Sequence, residues 1–175
     1  MTAEHMRQII QHLHVMMDYI IVDTRPSFDE VTLSLLDHSD RILLLLTLEL
    51  TAIKGAKQYL ELSDLLGYDS DKISLVLNRA TVASGIPVAD VGSSLKGEII
   101  AKLPDDAPLV LRAINEGVPF VQSSPGSALS QEIIKLAGWI TRDGVAATED
   151  DGAALVPAAG KFSRWIRPVV RKRTG

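Results

Sequence analysis

Short, continuous apolar runs alternate with helical patterns along most of this 175-residue chain, and this alternation most constrains its fold. A run that is apolar on both faces is typical of a buried strand in a parallel sheet. Strands that alternate with helices form right-handed crossovers. The sequence therefore predicts an α/β fold with a mostly parallel sheet and flanking helices. The predicted strands are Tyr19–Val22, Arg41–Thr47, Lys72–Leu77 and Glu98–Ala101.

Helical spacing of apolar residues predicts six helices between and around these strands. Glu30 follows Ser27 at the spacing of a capping box, so we expect Ser27 to cap the second helix. Gly67 and Gly117 are typical C-terminal stop residues. The predicted helices are Met6–Met17, the segment after Ser27, Thr51–Leu66, Val88–Leu95, Leu109–Glu116 and Ser127–Thr141.

Composition excludes several classes of protein. The chain is 46% hydrophobic and 23% charged, which is ordinary for a globular domain and argues against wholesale disorder. It has no cysteine, which excludes disulfides, thiolate chemistry and Cys-based zinc sites. No apolar run approaches the ~20 residues that span a bilayer, and the first residues lack a secretory h-region. We therefore expect a cytoplasmic protein.

Charge is unevenly distributed and divides the chain into three parts. Residues 1–142 carry 12 basic and 18 acidic side chains and form the α/β body. Residues 143–160 carry four acidic side chains and no basic one, and their Ala- and Gly-rich composition predicts a flexible linker. Residues 161–175 carry six basic side chains and no acidic one, and form a basic amphipathic tail. An acidic body with a basic tail does not favour nucleic-acid binding.

The tail combines an apolar stripe with basic residues. If the tail is helical, this pattern is typical of a helix at a membrane interface, where aromatic residues enter the headgroup region and arginines face anionic lipid. Pro168 interrupts the stripe, and the stripe could equally pack on the body itself. A peripheral location on the inner face of the membrane is thus one of two readings. The candidate membrane-contact residues are Phe162, Arg164, Trp165, Ile166, Arg167, Val169 and Arg171.

Polar residues follow the predicted strands, at the edge where open α/β sheets bind ligands. An aspartate there can hold a metal through water, and an asparagine can read a base edge; each can also simply cap a turn. Arg112 is a candidate ion-pair partner of Asp105 or Asp106. The residues at this edge are Asp23, Thr47, Asn78, Arg79 and the turn Pro104-Asp105-Asp106.

The order and spacing of these segments resemble the MinD/ParA group of P-loop ATPases, most closely the pilus-assembly localisation branch called CpaE or TadZ. The resemblance covers about residues 13–137. It is carried by DYIIVDTRPS at 18–27, SDRILLLLT at 39–47, LVLNR at 75–79, LPDD at 103–106 and RAINEGVP at 112–119.

The resemblance implies roles for individual residues, and it implies ATP and Mg²⁺ as cofactors. Asp23 matches the Walker B aspartate, which holds Mg²⁺ through water and is the only catalytic candidate. Asn78 matches the adenine-reading asparagine, and Arg79, Pro104, Asp105 and Asp106 lie beside the base. Thr24, Arg25, Pro26 and Ser27 match the switch II segment, which usually reads Asp-x-Pro-Pro-Gly; Arg25 and Ser27 depart from that pattern.

The family's phosphate loop has no match in the sequence. No G-x-x-x-x-G-K-[ST] occurs, and the 22 residues before Asp23 contain neither lysine nor glycine. Backbone amides and a lysine normally hold the phosphates there. We predict that residues 1–142 are the carboxyl-terminal portion of a MinD/ParA-like ATPase fold, or a degenerate relative of it, and that the chain does not hydrolyse ATP alone. The resemblance places the phosphate-loop strand between the strands ending at Asp23 and Thr47, so we expect a gap or a direct pairing of those two strands.

Three functions follow from these patterns. The first is a MinD/ParA/CpaE-like protein that positions or assembles a membrane-associated machine such as a pilus or a division site. The second is a non-catalytic interaction or scaffold module, and both imply a protein partner or a homodimer. The third is a phospho-receiver-like domain. Asp23, Thr47 and Lys102 occur in the order of the Asp, Thr and Lys of such a domain. A receiver also needs an acidic pair at the end of its first strand, and no such pair precedes Asp23.

Overall fold

The computed structural model describes residues 2–80 and 85–141. Helices and strands alternate as the sequence predicts, and the α/β class is confirmed. The strands are β1 (Ile42–Leu46), β2 (Ile73–Leu77) and β3 (Ile99–Lys102). The helices are α1 (Ala3–Met16), α2 (Glu30–His38), α3 (Leu50–Leu65), α4 (Val88–Leu95), α5 (Ala107–Glu116), α6 (Phe120–Ser123) and α7 (Ala128–Thr141), and a 3-10 turn covers Ser70–Lys72.

The described strands form one parallel sheet in the order β1-β2-β3. Ile42 is in register with Ile73 and Leu46 with Leu77, whereas the pairing of β2 with β3 shifts between Leu75 and Val76. All five residues of β2 are buried, because strands flank it and helices cover both its faces. The strands therefore end along one edge of the sheet, where the residues that follow them meet.

Helices cover the two faces of the sheet with separate apolar clusters. Successive side chains of a strand point to opposite faces, so Leu75 and Leu77 join one cluster and Val76 joins the other. The first cluster includes Ala56 of α3 and Val91 and Leu95 of α4. The second includes Leu109 of α5 and Leu129 of α7.

The predicted strand at Tyr19–Val22 is wrong. This segment has no strand hydrogen bonding, and within the described residues it pairs neither with β1 nor with any other strand. Ile21 is 87% exposed and Val22 is 45% exposed. A strand that is apolar on both faces needs neighbours on both sides, and the described part of the chain supplies none. Asp23 consequently does not follow a strand.

The cap of α2 also differs from the prediction. Asp29, not Ser27, is the N-cap, and its Oδ1 accepts the backbone N–H of Thr32 at 2.9 Å. The Ser27 hydroxyl donates to Oδ2 of Asp29 at 2.7 Å. Because an aspartate caps at least as well as a serine and carries charge that favours a helix N-terminus, Asp29 takes the role and Ser27 supports it.

The chain divides into two compact units, Met1–Ala137 and Gly138–Gly175. The first contains the sheet and most of the helices. Of the second, the structure describes 138–141, the last turn of α7. The linker at 143–160 and the tail at 161–175 lie outside the described residues, and so do all seven candidate membrane-contact residues. None of the helices in the described ranges has both the length and the apolarity that a bilayer crossing requires.

Candidate functional site

Asn78 lies where β1 and β2 end. Its backbone N–H donates to the carbonyl of Leu46 at 2.8 Å, which extends the pairing of the two strands by one residue. The side chain is half-buried and lines a small cleft of about 190 Å³ with Leu45, Leu46, Thr47 and Ala52. Sites for drug-sized ligands measure roughly 300–1,000 Å³, so this cleft can enclose only one end of a nucleotide-sized ligand.

The side chain of Asn78 is oriented by its own turn. Its Oδ1 accepts the backbone N–H of Arg79 at 3.0 Å. Arg79 has φ of +53°, in the left-handed region that non-glycine residues seldom adopt. The Nδ2 amide group has no protein partner among the described residues. The turn therefore presents Asn78 as a hydrogen-bond donor, a chemistry that suits an acceptor atom on a ligand.

The ends of β2 and β3 are joined by backbone and side-chain bonds. Leu103 N–H donates to the carbonyl of Leu77 at 2.7 Å, and Ala80 N–H donates to the carbonyl of Leu103 at 2.8 Å. Across this pairing Arg79 Nε donates to Oδ1 of Asp105 at 3.3 Å. The two side chains are 62% and 32% exposed, so water screens the ion pair, which orients the loops and contributes little to stability.

Asp106 is the N-cap of α5. Its Oδ1 accepts the backbone N–H of Leu109 at 3.1 Å, which satisfies one of the free donors of the first turn. Pro104 is half-buried between Leu103 and Asp105. Within this turn, Asp105 therefore orients Arg79 and Asp106 caps a helix.

The suggested pairing of Arg112 with Asp105 or Asp106 is wrong. Arg112 Nη2 donates instead to the hydroxyl of Ser124 at 3.0 Å. Asp106 is occupied by the helix cap and Asp105 by Arg79, which leaves Arg112 to bond across to the chain after α6.

Asp23 and the switch II-like residues stay apart from this group. Asp23, Thr24, Arg25 and Pro26 are exposed, Ser27 is half-buried, and the local bond is Ser27 N–H to the carbonyl of Arg25 at 2.8 Å. Within the described ranges no hydrogen bond or ion pair joins Asp23 to Asn78. Nor do those ranges contain three His, Asp or Glu side chains grouped closely enough to hold a metal ion. The described residues therefore do not assemble a Mg²⁺ site around Asp23.

Ala52 also lines the cleft, although no motif in the sequence marks it. It lies in the first turn of α3, directly after the end of β1, and its small side chain leaves the cleft open. The signal that could have identified Ala52 is its position shortly after Thr47, the polar residue that follows β1. The helix after a parallel strand begins at the edge of the sheet where ligands bind.

This arrangement can be compared with known proteins. No protein-family model matches the sequence. The septum site-determining protein MinD of Thermotoga maritima is 30% identical over 150 residues, which are 83% of this chain and 55% of that protein. A ParA family ATPase from Chlorobium tepidum TLS has a TM-score of 0.73 and 27% identity, over 78% of this chain and 57% of the other. The chain has the fold of the MinD/ParA-type ATPases.

Two further MinD structures share this fold and show bound partners. MinD of Pyrococcus horikoshii OT3 was solved with Mg-ADP (TM-score 0.68, 21% identity, 80% of this chain and 57% of that one). MinD of Aquifex aeolicus was solved with MinC (TM-score 0.72, 22% identity, 85% and 62%). At these identities the two structures show the shared fold alone. The chain spans about half the length of the curated relative that it matches.

Proposed function

We propose that this chain is part of a MinD/ParA-type ATPase of the CpaE or TadZ branch, and that it binds the base end of an adenine nucleotide at Asn78. In this proposal the whole protein positions or assembles a membrane-associated machine such as a pilus or a division site. One observation carries the nucleotide proposal: Asn78, Arg79 and Asp105 meet at the carboxyl ends of β2 and β3, in a fold shared with nucleotide-binding relatives.

Each residue has a defined task in this proposal. Asn78 donates from Nδ2 to an acceptor nitrogen of the base, while its Oδ1 stays on the N–H of Arg79. The Arg79–Asp105 pair orients the loop after β2 beside Pro104, and Asp106 caps the start of α5. Asp23 is the candidate for holding Mg²⁺ through water, and Thr24–Ser27 for a switch, once the missing part of the site positions them. Bound Mg²⁺ would supply charge neutralisation for the phosphates.

The same residues argue against hydrolysis by this chain alone. Hydrogen bonds to charged groups contribute about 1.5–3 kcal/mol each, and a phosphate loop supplies several of them. The described residues around Asn78 offer an amide, a threonine hydroxyl and apolar walls in a cleft of about 190 Å³. We therefore expect weak binding that is directed at the base, and no turnover of ATP.

A fluorescent ADP analogue, titrated with and without Mg²⁺, tests the nucleotide proposal. The unmodified chain is expected to bind weakly, and Asn78→Ala to weaken binding by about tenfold, the loss of one good hydrogen bond. Asn115→Ala is the matched control, because Asn115 is exposed on α5 away from these bonds. Equal affinity for the Asn78 variant and the unmodified chain would refute the proposed base site, and measurable ATP hydrolysis would refute the predicted inactivity.

A non-catalytic interaction module is the second candidate. The run of exposed apolar side chains that includes Val15, Met16 and Ile21 favours it, because several exposed apolar residues close in sequence, unlike a single one, indicate an interaction surface. Absence of any nucleotide binding, together with capture of a defined protein partner, would favour this function over the first.

We also propose that the tail at 161–175 binds anionic membranes. Its basic residues would each contribute about 1 kcal/mol near such a surface, with Phe162 and Trp165 entering the headgroup region. Co-sedimentation with vesicles of mixed anionic and neutral lipid should show binding that weakens with added salt. Trp165→Ala should reduce it, while Trp139→Ala on α7 serves as the control. Binding that is indifferent to both lipid charge and Trp165 would exclude this role.

A further inference from the structure

The backbone hydrogen-bond acceptors at the carboxyl ends of the strands already have partners. The carbonyl of Leu46 accepts the backbone N–H of Asn78. The carbonyl of Leu77 accepts the N–H of Leu103, whose own carbonyl accepts the N–H of Ala80. Each of these bonds joins neighbouring strands or the residues that follow them. A donor group on a ligand at this edge therefore meets carbonyls that the sheet already uses.

The side-chain acceptors of this edge are used as well. Oδ1 of Asp105 accepts from Nε of Arg79, and Oδ1 of Asp106 caps α5. Asn78 is the deciding case. An asparagine whose amide oxygen and NH2 are both available can read the donor and the acceptor of adenine together. Here Oδ1 of Asn78 accepts the backbone N–H of Arg79 at 3.0 Å, which occupies the oxygen.

The groups that remain available among the described residues are mainly donors. Nδ2 of Asn78 bonds to no described atom, and Arg79 bonds to Asp105 through Nε, which leaves its two terminal nitrogens as further donors. The hydroxyl of Thr47 lines the same cleft and can either donate or accept. The described edge is therefore rich in donors and poor in available acceptors.

This set of groups suits guanine at least as well as adenine. On the edge of the base that carries N7, guanine presents two adjacent acceptors, N7 and O6, whereas adenine presents the acceptor N7 beside the donor N6–H2. Nδ2 of Asn78 can donate to N7 of either purine. The Thr47 hydroxyl can donate to O6 of guanine or accept from N6 of adenine. Neither group selects the amino group of adenine over the oxygen of guanine.

The small size of the cleft adds no selection against guanine. With a volume of about 190 Å³, it encloses only one end of a nucleotide-sized ligand. A site rejects an analogue strongly when binding leaves a buried polar group without a partner. The N1–H and the 2-amino group of guanine lie away from N7, so they stay in water when the N7 edge enters the cleft.

We propose that the Asn78 cleft is a site for purines in general, and that it binds guanine nucleotides at least as tightly as adenine nucleotides. This inference rests on the proposed function, because it requires that the cleft binds a base. Asn78 donates to N7, and the Thr47 hydroxyl adapts to the group at position 6 of the purine. The specificity-determining contact is the bond from the Arg79 N–H to Oδ1 of Asn78, which occupies the acceptor that would select adenine.

Titration of the full 175-residue chain with fluorescent ADP, GDP and UDP analogues, each labelled on the ribose, tests the proposal. The ribose label leaves the base unmodified. The GDP analogue should bind with an affinity between that of the ADP analogue and about tenfold tighter, which corresponds to one added hydrogen bond. The UDP analogue should bind about tenfold more weakly than either purine, because uracil has no N7.

Analogues and variants locate the contact at N7. The 7-deaza forms of ADP and GDP replace N7 with carbon, so each should bind the unmodified chain about tenfold more weakly than its parent. Asn78→Asp replaces the NH2 donor with an oxygen and should weaken both purines by at least as much. Asn115→Asp adds the same charge at an exposed position on α5 and should leave both affinities unchanged. Circular dichroism checks that both variants are folded, and the 7-deaza measurements need no variant.

The outcomes separate this inference from the proposed function. An ADP analogue that binds more than about threefold tighter than the GDP analogue would overturn the inference and leave the proposed adenine site intact. A UDP analogue that binds as tightly as the purines, or 7-deaza purines that bind as tightly as their parents, would also overturn it, because neither result is compatible with a contact to N7. If none of the nucleotides binds, the proposed function fails, and the inference fails with it.

Discussion

Arg79 and Asp105 join the loops that follow β2 and β3 through a bond of 3.3 Å from Nε to Oδ1. Arg79 reaches this position with φ of +53°, a conformation that costs a non-glycine residue roughly 1–2 kcal/mol. The exposed ion pair contributes only about 0–1 kcal/mol to the free energy of unfolding. The side-chain bond therefore does not by itself stabilise the turn. Backbone pairing of Leu77, Leu103 and Ala80 holds it instead.

Replacing Arg79 with glycine should separate these two contributions. Arg79→Gly removes the left-handed strain but also the bond to Asp105, so the free energy of unfolding should change by less than about 1 kcal/mol. Lys96→Gly, at the C-cap of α4 with φ of +51° and no described ion pair, should stabilise by up to about 1 kcal/mol. Urea denaturation measures both. A larger gain for Arg79→Gly than for Lys96→Gly would contradict this ranking.

A side chain at position 97 should lower the free energy of unfolding. A Cβ at Gly97 would lie 2.8 Å from Cδ1 of Leu75, a fully buried residue at the centre of β2. Gly97→Ala should lower the free energy of unfolding by about 1–3 kcal/mol through overpacking. Gly55→Ala is the matched control, because open space surrounds Gly55 within α3, and it should stabilise by about 0.5–1 kcal/mol. Thermal unfolding of the two variants should move in opposite directions.

The charge of Asp29 should make the cap of α2 sensitive to acid. The N–H of Thr32 and then the hydroxyl of Ser27 bond to its carboxylate and lower the pKa of Asp29. A lowered pKa in the folded state stabilises the protein above the ordinary carboxyl pKa, and this stabilisation is lost as the pH falls through the lowered value.

Asp29→Ala should therefore destabilise the protein at neutral pH, and the difference from the unmodified chain should shrink in acid. Ser27→Ala should have the smaller effect, since Ser27 supports the cap without bonding the Thr32 amide. Urea denaturation at several pH values checks this. Equal effects of the two variants at neutral pH would show that Asp29 is not the cap.

Deprotonation of Tyr68 should lower the free energy of unfolding at alkaline pH. Burial, followed by the 2.6 Å bond from its hydroxyl to Oδ1 of Asp37, raises the pKa of Tyr68 to about 12. The protonated phenol therefore stabilises the fold fully below pH ~10, and this contribution is lost between about pH 10 and 12. Tyr68→Phe should cost about 0.5–1 kcal/mol at neutral pH and flatten the alkaline loss. An alkaline profile identical to that of the unmodified chain would contradict this role.

The sequence predicted most elements because their signals are local. β2 is apolar at nearly every position, which is typical of a central parallel strand, and the structure buries all of it. Gly117 ends α5 with φ of +65°, as a glycine C-cap does, and Val88–Leu95 forms a helix at its predicted bounds. The sequence also predicted that Asn78 and Asp105 lie at the same edge of the sheet, because residues that follow parallel strands lie at the carboxyl ends of those strands.

Only the tertiary structure decided the rest. Tyr19–Val22 has the composition of a strand, but a strand forms only by pairing with another strand, and none of the described strands pairs with this segment. The sequence predicted Ser27 as the cap and Arg112 as the partner of Asp105 or Asp106. Both predictions were wrong, because these choices depend on distances between side chains. The pattern of apolar residues thus fixed which segments suit strands and helices, while the availability of partners fixed which of them became paired.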